Sequence, residues 1–267
     1  MRKLLMLSFA AILFLGSCSD MQKVLKNPSV DARYKAAEKY YQNEEYAKAG
    51  IIFEDLIPDV IGRPEAERVQ YYYSYCHFHQ KQYDLANYYF KSFHDTYQRS
   101  PFAIEALFMS AYANLKGTPE YNLDQSNTNN AINSLQDFIN RYPDSQYVAK
   151  AEDAIRELRK KLETKSFEKA KLYQKLRRYK AAVIAYDNFR KSYPDSQFKE
   201  EAIFNRLASQ AELAKLSVPS LKKERYAELV EMYYYFIDKY PASKHRKQAE
   251  NIFRNSQKQL KDLNSKA

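Results

Sequence analysis

The chain has 267 residues and a formal net charge of +10, and 45% of its residues are hydrophobic and 28% charged, a balance typical of a folded globular protein. It contains four glycines, 25 tyrosines and no tryptophan. So little glycine argues against all-β folds and against Rossmann and P-loop nucleotide sites, which need tight turns or glycine-rich phosphate loops, and it favours helices.

The N-terminus has the pattern of an export signal. A short basic start precedes an apolar stretch at 4–15, which is too short to span a bilayer as a helix. Two small residues then precede Cys18, and this sequence resembles the bacterial lipoprotein signal, in which the cysteine is lipidated. We therefore expect 1–17 to be removed and 18–30 to form a tether whose acyl chains on Cys18 give stable membrane anchoring. A plain secretory signal with a coincidental cysteine is the alternative.

The residues after the cysteine indicate a location. Ser19, rather than aspartate, follows Cys18, which under the enterobacterial sorting rule favours the outer membrane. No acidic run of the kind that sends some lipoproteins to the cell surface follows, so we expect the periplasmic face. We expect an exported basic protein not to bind nucleic acid. Its surplus charge faces either anionic lipid or an acidic partner, or forms a solvated surface of mixed charge.

A tyrosine-centred motif repeats along the chain. Tyr-Pro-Asp-Ser occurs at 142–145 and 193–196, Tyr-Pro-Ala-Ser occurs at 240–243, and Tyr97 holds the same place without the proline. A series of apolar residues precedes each of these tyrosines with the spacing of one face of an α-helix. An equivalent series starts at Tyr46. The chain therefore contains five related segments that each predict a helix.

Each repeated helix is expected to be the second of a pair. Proline disfavours helical backbone in the residue before it, and the following Asp-Ser is suited to cap the next helix. Helix pairs that cannot bury their apolar faces alone must stack on one another. The starts of successive repeated helices are 37 to 51 residues apart. This distance exceeds the 34-residue length of a standard tetratricopeptide repeat. The predicted fold is all-α, an α-solenoid of about five tetratricopeptide-like helix pairs.

The repeats suggest an organisation for the whole chain. We expect repeat units one to three in 31–145, a long helix with units four and five in 146–243, and a capping helix and tail in 244–267. The expected first helices of the pairs are 31–42, 64–79, 102–115, 146–176 and 198–216. Polar segments with a proline predict loops at 117–127 and 217–223.

Catalytic and metal-binding signals are weak. His77 and His79 are two positions apart in a predicted helix and so point to different faces, and one free thiol is too few for a Cys/His cluster. His94 beside Asp95 resembles an acid–base pair, but we interpret it as a solvated helix surface. Cys76 is expected to be a buried small hydrophobe. We therefore expect no enzyme, no catalytic residue, no metal and no cofactor apart from the covalent lipid.

Tyrosine runs predict a binding surface. Tyr71, Tyr72 and Tyr75 lie around a single predicted helix, so that helix cannot bury every ring. Rings left exposed are expected to line a solenoid groove for extended ligands. Peptide is the natural ligand class, and the absence of tryptophan argues against glycan.

The repeat sequences resemble a known family. The relevant motifs are Leu123-Asp124-Gln125, Phe138-Ile139-Asn140-Arg141-Tyr142-Pro143-Asp144-Ser145, Tyr179-Lys180-Ala181-Ala182 and Tyr193-Pro194-Asp195-Ser196. With the lipoprotein signal and the chain length, they resemble the BamD family, lipoproteins of the outer-membrane β-barrel assembly machine. The resemblance is strongest from about 120 to 205 and weakens over the first two repeat units, where Tyr97 lacks the usual proline.

The resemblance implies a non-enzymatic scaffold on the inner leaflet of the outer membrane. C-terminal repeats of such proteins bind a periplasmic POTRA domain of the BamA-like barrel insertase, and N-terminal repeats receive unfolded outer-membrane proteins. By position and chemistry, we expect the POTRA contact at Arg190, Lys191 and Arg206. We expect the substrate groove at Tyr71, Tyr72 and Tyr75, where a strand with alternating aromatics would lie.

Two other interpretations remain open. The first is a different periplasmic tetratricopeptide scaffold lipoprotein, associated with the cell envelope or with division, in which similar Tyr-Pro-Asp-Ser repeats occur. The second is a SusD-like glycan-binding lipoprotein, although such chains are about twice as long and commonly use tryptophan.

Overall fold

The computed structural model describes residues 21–265. Over this range the secondary structure is helical and contains no strand, which confirms the predicted all-α class. The predicted signal segment 1–17 and the lipidation residue Cys18 lie outside the described residues. Within 21–265 no helix has both the length and the apolar character that crossing a bilayer requires.

After a short helical segment at 21–25, the helices follow one another in chain order. They are α1 (Val30–Gln42), α2 (Tyr46–Leu56), α3 (Ala66–His79), α4 (Tyr83–Thr96), α5 (Ala103–Lys116), α6 (Ser126–Arg141), α7 (Val148–Lys175), α8 (Tyr179–Ser192), α9 (Lys199–Lys215), α10 (Pro219–Lys239) and α11 (Arg246–Asn264), with a 3-10 turn at Pro58–Val60. The chain divides into two compact bodies, an N-terminal body that ends at Leu158 and a C-terminal body that begins at Arg159. The division falls within α7.

The helix boundaries follow the tyrosine repeats closely. Helices α2, α4 and α8 begin at Tyr46, Tyr83 and Tyr179, where the repeated series begin. Helix α10 departs from the pattern, because it starts at Pro219 and the loop predicted at 217–223 is therefore largely wrong. Proline is favoured at the first position of a helix, where its missing N–H has no partner to lose.

Three of the turns within helix pairs share one backbone conformation. The central residues Glu44, Lys81 and Arg177 have φ angles of 55–61°. In each case the next amide bonds to a carbonyl five residues back, as between Arg178 N and Tyr173 O at 2.9 Å. This left-handed C-terminal motif usually takes glycine, which explains how paired helices turn back in a chain so poor in glycine.

The turns between pairs share a second pattern. The hydroxyl oxygens of Ser100, Ser145, Ser196 and Ser243 each accept a bond from the amide two residues later, at 2.9–3.3 Å. The α-helix then begins three residues after the serine in all four cases. The serines were predicted to cap the helix itself, but they hold the turn that leads into it.

Both bodies bury aromatic residues between their helices. In the N-terminal body Phe53, Phe90 and Phe138 are fully buried. In the C-terminal body Tyr186 and Phe236 are fully buried in separate clusters. Each of these rings comes from the apolar stripe of a repeated second helix, which it packs against the neighbouring first helices.

Candidate interaction surfaces

The three tyrosines predicted to bind substrate lie on α3, but they differ in exposure. Tyr71 is 8% exposed and stacks on Phe102 with ring centroids 4.5 Å apart. Tyr72 is half-buried and stacks on Phe53. Tyr75 is also half-buried, and its hydroxyl donates to a carboxylate oxygen of Glu105. Much of each ring therefore contributes to the packing of the N-terminal body.

Glu105 on α5 organises this group of hydroxyls. Tyr147 donates to its second oxygen at 2.8 Å, while Tyr75 donates to the first. Burial by itself would raise the pKa of Glu105, but the hydroxyls of Tyr75, Tyr147 and Tyr71 outweigh it and lower the pKa below 4.5. Burial, and then the bond to Glu105, raises the pKa of Tyr147 to about 12. Glu105 is therefore a carboxylate held by hydroxyls from α3 and from the residue before α7.

A more accessible aromatic surface lies beside these residues, and we call it the tyrosine–histidine cluster. His79, which is exposed, stacks on Tyr46 with centroids 4.1 Å apart and an interplanar angle of 10°. Tyr41 packs edge-on against Tyr46 and Tyr72. Burial lowers the pKa of His79, which favours its neutral form at neutral pH. The cluster therefore offers uncharged aromatic faces and hydroxyls at the ends of α1 and α3.

The predicted partner-contact residues of the C-terminal body meet at one carboxylate, Asp187. Arg190 donates to Asp187 Oδ1 at 2.8 Å, Lys191 Nζ lies 2.6 Å from Oδ2, and Arg206 lies 3.2 Å from Oδ1. Burial would raise the pKa of Asp187, but the bond from Lys191 and the charges of both arginines lower it. Glu228 on α10 also acts on the charge of Arg206, so the three cations are shared between two acids.

This site opens into a groove formed by α8, α9 and α10. The groove has a volume of about 720 Å³ and mixes apolar, cationic and acidic side chains, namely Lys180, Val183, Ile184, Arg190, Arg206, Gln210, Leu213, Leu221, Glu224, Arg225, Glu228, Glu231, Met232 and Tyr235. The guanidinium of Arg190 lies over the ring of Tyr235, 5.5 Å from its centroid. Buried Gln210 donates to Glu228 and to the carbonyl of Arg225, and so joins two walls of the groove.

The sequence did not identify the acids that hold these sites together. Glu105 and Asp187 have the spacing of ordinary helix-surface residues. Their contacts with Tyr147 and Arg206 come from distant parts of the chain. The contact between Tyr235 and Arg190 likewise crosses between α8 and α10. Such pairings require the packing angle of the helices, which residue spacing does not give.

The histidines and the cysteine have structural surroundings. His94 was interpreted as a solvated residue, and that interpretation is wrong, because it is 3% exposed. Its ring nitrogens bond the Tyr142 hydroxyl at 2.9 Å and Asp95 at 3.0 Å, which ties α4 to the end of α6. Burial raises the pKa of Cys76 to about 12, so the thiol is protonated at neutral pH. Among the described residues no group of His, Cys, Asp and Glu is arranged to hold a metal.

Comparison with known proteins assigns the chain to a family. Residues 26–226 match the model of the YfiO family, described as outer membrane lipoprotein, and the chain belongs to that family. Among solved structures, it is similar to the TPR2AB domain of yeast Sti1, titled as a complex with pHSP90, with 12% identity and a TM-score of 0.40 over 85% of this chain and 98% of that one. No curated protein sequence matches the chain.

The lowered pKa of Glu105 predicts how the stability of the N-terminal body depends on pH. Its folded pKa is below 4.5, so its contribution is complete above that value and is lost as the pH falls through the folded pKa. Glu105→Gln is expected to lower the free energy of unfolding by about 1–2 kcal/mol at pH 7. It is also expected to reduce the loss of unfolding free energy between neutral and acidic pH. Urea unfolding at pH 3–7 measures both effects. Exposed Glu152→Gln is the control, and equal losses in the two variants would contradict the role of Glu105.

Proposed function

We propose that this member of the YfiO outer membrane lipoprotein family is a non-enzymatic scaffold of the outer-membrane β-barrel assembly machine. The family match over residues 26–226 carries the proposal. In this proposal Cys18 bears the lipid, and the protein lies on the periplasmic face of the outer membrane. The C-terminal body binds a POTRA domain of a BamA-like insertase, and the N-terminal body receives unfolded outer-membrane proteins.

The groove of the C-terminal body supports the first contact. A folded domain needs a surface with an apolar centre and charges that set its orientation. The groove has apolar Val183, Leu213 and Met232 on its walls. Arg190 lines it, and Arg190 and Lys191 share the single carboxylate of Asp187. A POTRA surface that carries carboxylates would match these cations, and Tyr235 would supply an aromatic anchor beside Arg190.

The tyrosine–histidine cluster supports the second contact. An extended strand with alternating aromatic side chains needs open aromatic faces and hydrogen-bonding groups. Tyr46 and His79 stack on each other and remain partly accessible, while Tyr72 and Tyr75 lie beside them. Tyr71 is buried, so in this proposal it supports the surface from beneath and does not touch the substrate.

Pull-down from gently solubilised membranes, followed by mass spectrometry, tests the assembly role. We expect a large β-barrel protein with POTRA domains to co-purify with the wild-type chain. Lys191→Glu and Arg190→Glu are expected to reduce that recovery about tenfold or more, because reversed charges repel the carboxylates that the cations would meet. Arg206 is only 19% exposed, so Arg206→Gln is the gentler change there.

The control for that pull-down is Lys239→Glu, which reverses the charge of an exposed lysine on α10. Circular dichroism melts establish that all variants remain folded. Equal recovery from Lys191→Glu and Lys239→Glu would contradict the assignment of the contact. Recovery of cell-wall enzymes or division proteins without any POTRA protein would favour the alternative scaffold function.

Binding of a synthetic peptide tests the substrate site separately. The peptide ends in alternating aromatic residues and a free carboxylate, and fluorescence anisotropy reports its affinity. Tyr46→Ala is expected to weaken binding about tenfold, since loss of one aromatic anchor costs about 1–2 kcal/mol. Tyr88→Ala is the matched control, because Tyr88 is 63% exposed on α4 of the same body. Equal affinities for the two variants would contradict the assignment of the cluster.

A further inference from the structure

Two turns of the C-terminal body expose large apolar side chains. Leu176, after α7, is 58% exposed, and Leu216 and Val218, between α9 and α10, are 68% and 58% exposed. The turns are neighbours, because Arg177 of the first and Leu216 of the second line one shallow cleft of about 490 Å³. We call residues 176–178 and 216–218 together the turn edge.

Cations surround these apolar side chains. Arg177, Arg178 and Lys180 are all exposed, and in the described part of the chain no ion pair links any of them to an acid. The cleft between the turns is lined by Arg177, Arg178, Tyr179, Lys180, Ala181, Ile184, Leu213, Leu216 and Arg225, and so by four cations without an Asp or Glu. This composition is complementary to a surface that is negatively charged outside and apolar beneath.

One contact holds the second turn in place. Arg225 donates from its guanidinium to the hydroxyl of Ser217, between Leu216 and Val218. The hydroxyl of Ser217 in turn donates to the carbonyl of Leu213 in the last turn of α9. The two apolar side chains are therefore presented by an ordered turn, so their exposure does not require local unfolding.

We propose that the turn edge rests on an anionic phospholipid surface, as a second membrane contact beside the lipid anchor. The leucines lie at the ends of helices and project from turns, where side chains can enter the boundary between headgroups and acyl chains. Flanking arginines and lysine attract anionic headgroups over about one Debye length. An acidic protein partner would match the charges, but apolar residues at turn tips fit a fluid interface better than a preformed pocket.

The contact goes beyond the proposed function, because neither the POTRA site nor the peptide site needs it. The turn edge adjoins the groove, and Lys180, Ile184, Leu213 and Arg225 line both clefts. Arg177, Arg178 and Leu216 line only the cleft of the turn edge. Substitutions at these three residues therefore change the turn edge without changing the lining of the groove. The lipid anchor of the proposed function keeps the chain at the membrane, so a weak contact suffices wherever the edge reaches the bilayer.

Fluorescence on the whole lipoprotein, reconstituted in vesicles, tests the proposal. An environment-sensitive dye is attached to Val218→Cys, which leaves Leu216 intact. Buried Cys76 is 0% exposed and does not compete for the label. We expect a blue shift of emission in vesicles with 30% phosphatidylglycerol, little shift in pure phosphatidylcholine, and reversal by 0.5 M salt. The same dye on Tyr88→Cys in the N-terminal body is the control.

Two variants in the labelled background connect the signal to the proposed residues. Arg177→Glu/Arg178→Glu is expected to lower the membrane-contacting fraction about tenfold, since each basic residue near an anionic surface contributes attraction. Leu216→Ser keeps the charges and tests the apolar part, with an expected loss of most of the blue shift. Circular dichroism checks that both variants fold.

Several results would overturn the proposal. Equal dye emission in the two kinds of vesicle would contradict it. A blue shift that both variants retain would also contradict it. A shift produced by an acidic peptide but by neither vesicle would assign the edge to a protein partner instead. Failure to co-purify a POTRA protein would leave this result unaffected, because the vesicle assay contains only the lipoprotein and lipid.

Discussion

The structure depends on one constraint, that a single amphipathic helix pair cannot bury its apolar stripe alone. Each repeated second helix therefore packs its aromatic side chains against the first helices on either side, as Phe90 of α4 and Phe138 of α6 do in the N-terminal body. Stacking buries these rings and leaves polar faces and pair-connecting turns at the surface. The candidate interaction surfaces combine exposed side chains with rings, such as Tyr72 and Tyr75, that also pack against the core.

The spacing of apolar residues predicted the fold, because each helix must bury one face and its apolar residues therefore recur with the helical period. The starts of α2, α4 and α8 followed from the spacing of tyrosines, since each apolar stripe must face a neighbour. Local backbone chemistry was less predictable. Pro219 can either interrupt or begin a helix, and here it begins α10. Likewise Glu44 adopts a left-handed conformation with no glycine to signal it.

The candidate sites were only partly predictable. Arg190, Lys191 and Arg206 were chosen from position and charge, and the structure brings all three to Asp187. Arg190 and Lys191 are three and four residues after Asp187 on α8, which helix spacing supplies. The contact of Arg206 requires α8 and α9 to cross at one place, which spacing does not give. The burial of Tyr71 could not be predicted either, because a helix with aromatic residues on every side does not reveal which ring is buried. Charges and aromatics could thus be found from sequence, but their partners on other helices could not.

The central claim is that the groove of the C-terminal body contacts a POTRA domain. The most direct measurement places a photo-crosslinking amino acid at Tyr235, which is 37% exposed in that groove, in living cells. Mass spectrometry then identifies the joined peptide. The account predicts a peptide from a POTRA domain of a barrel insertase. Cross-links to cell-wall or division proteins, with none to a POTRA domain, would contradict it.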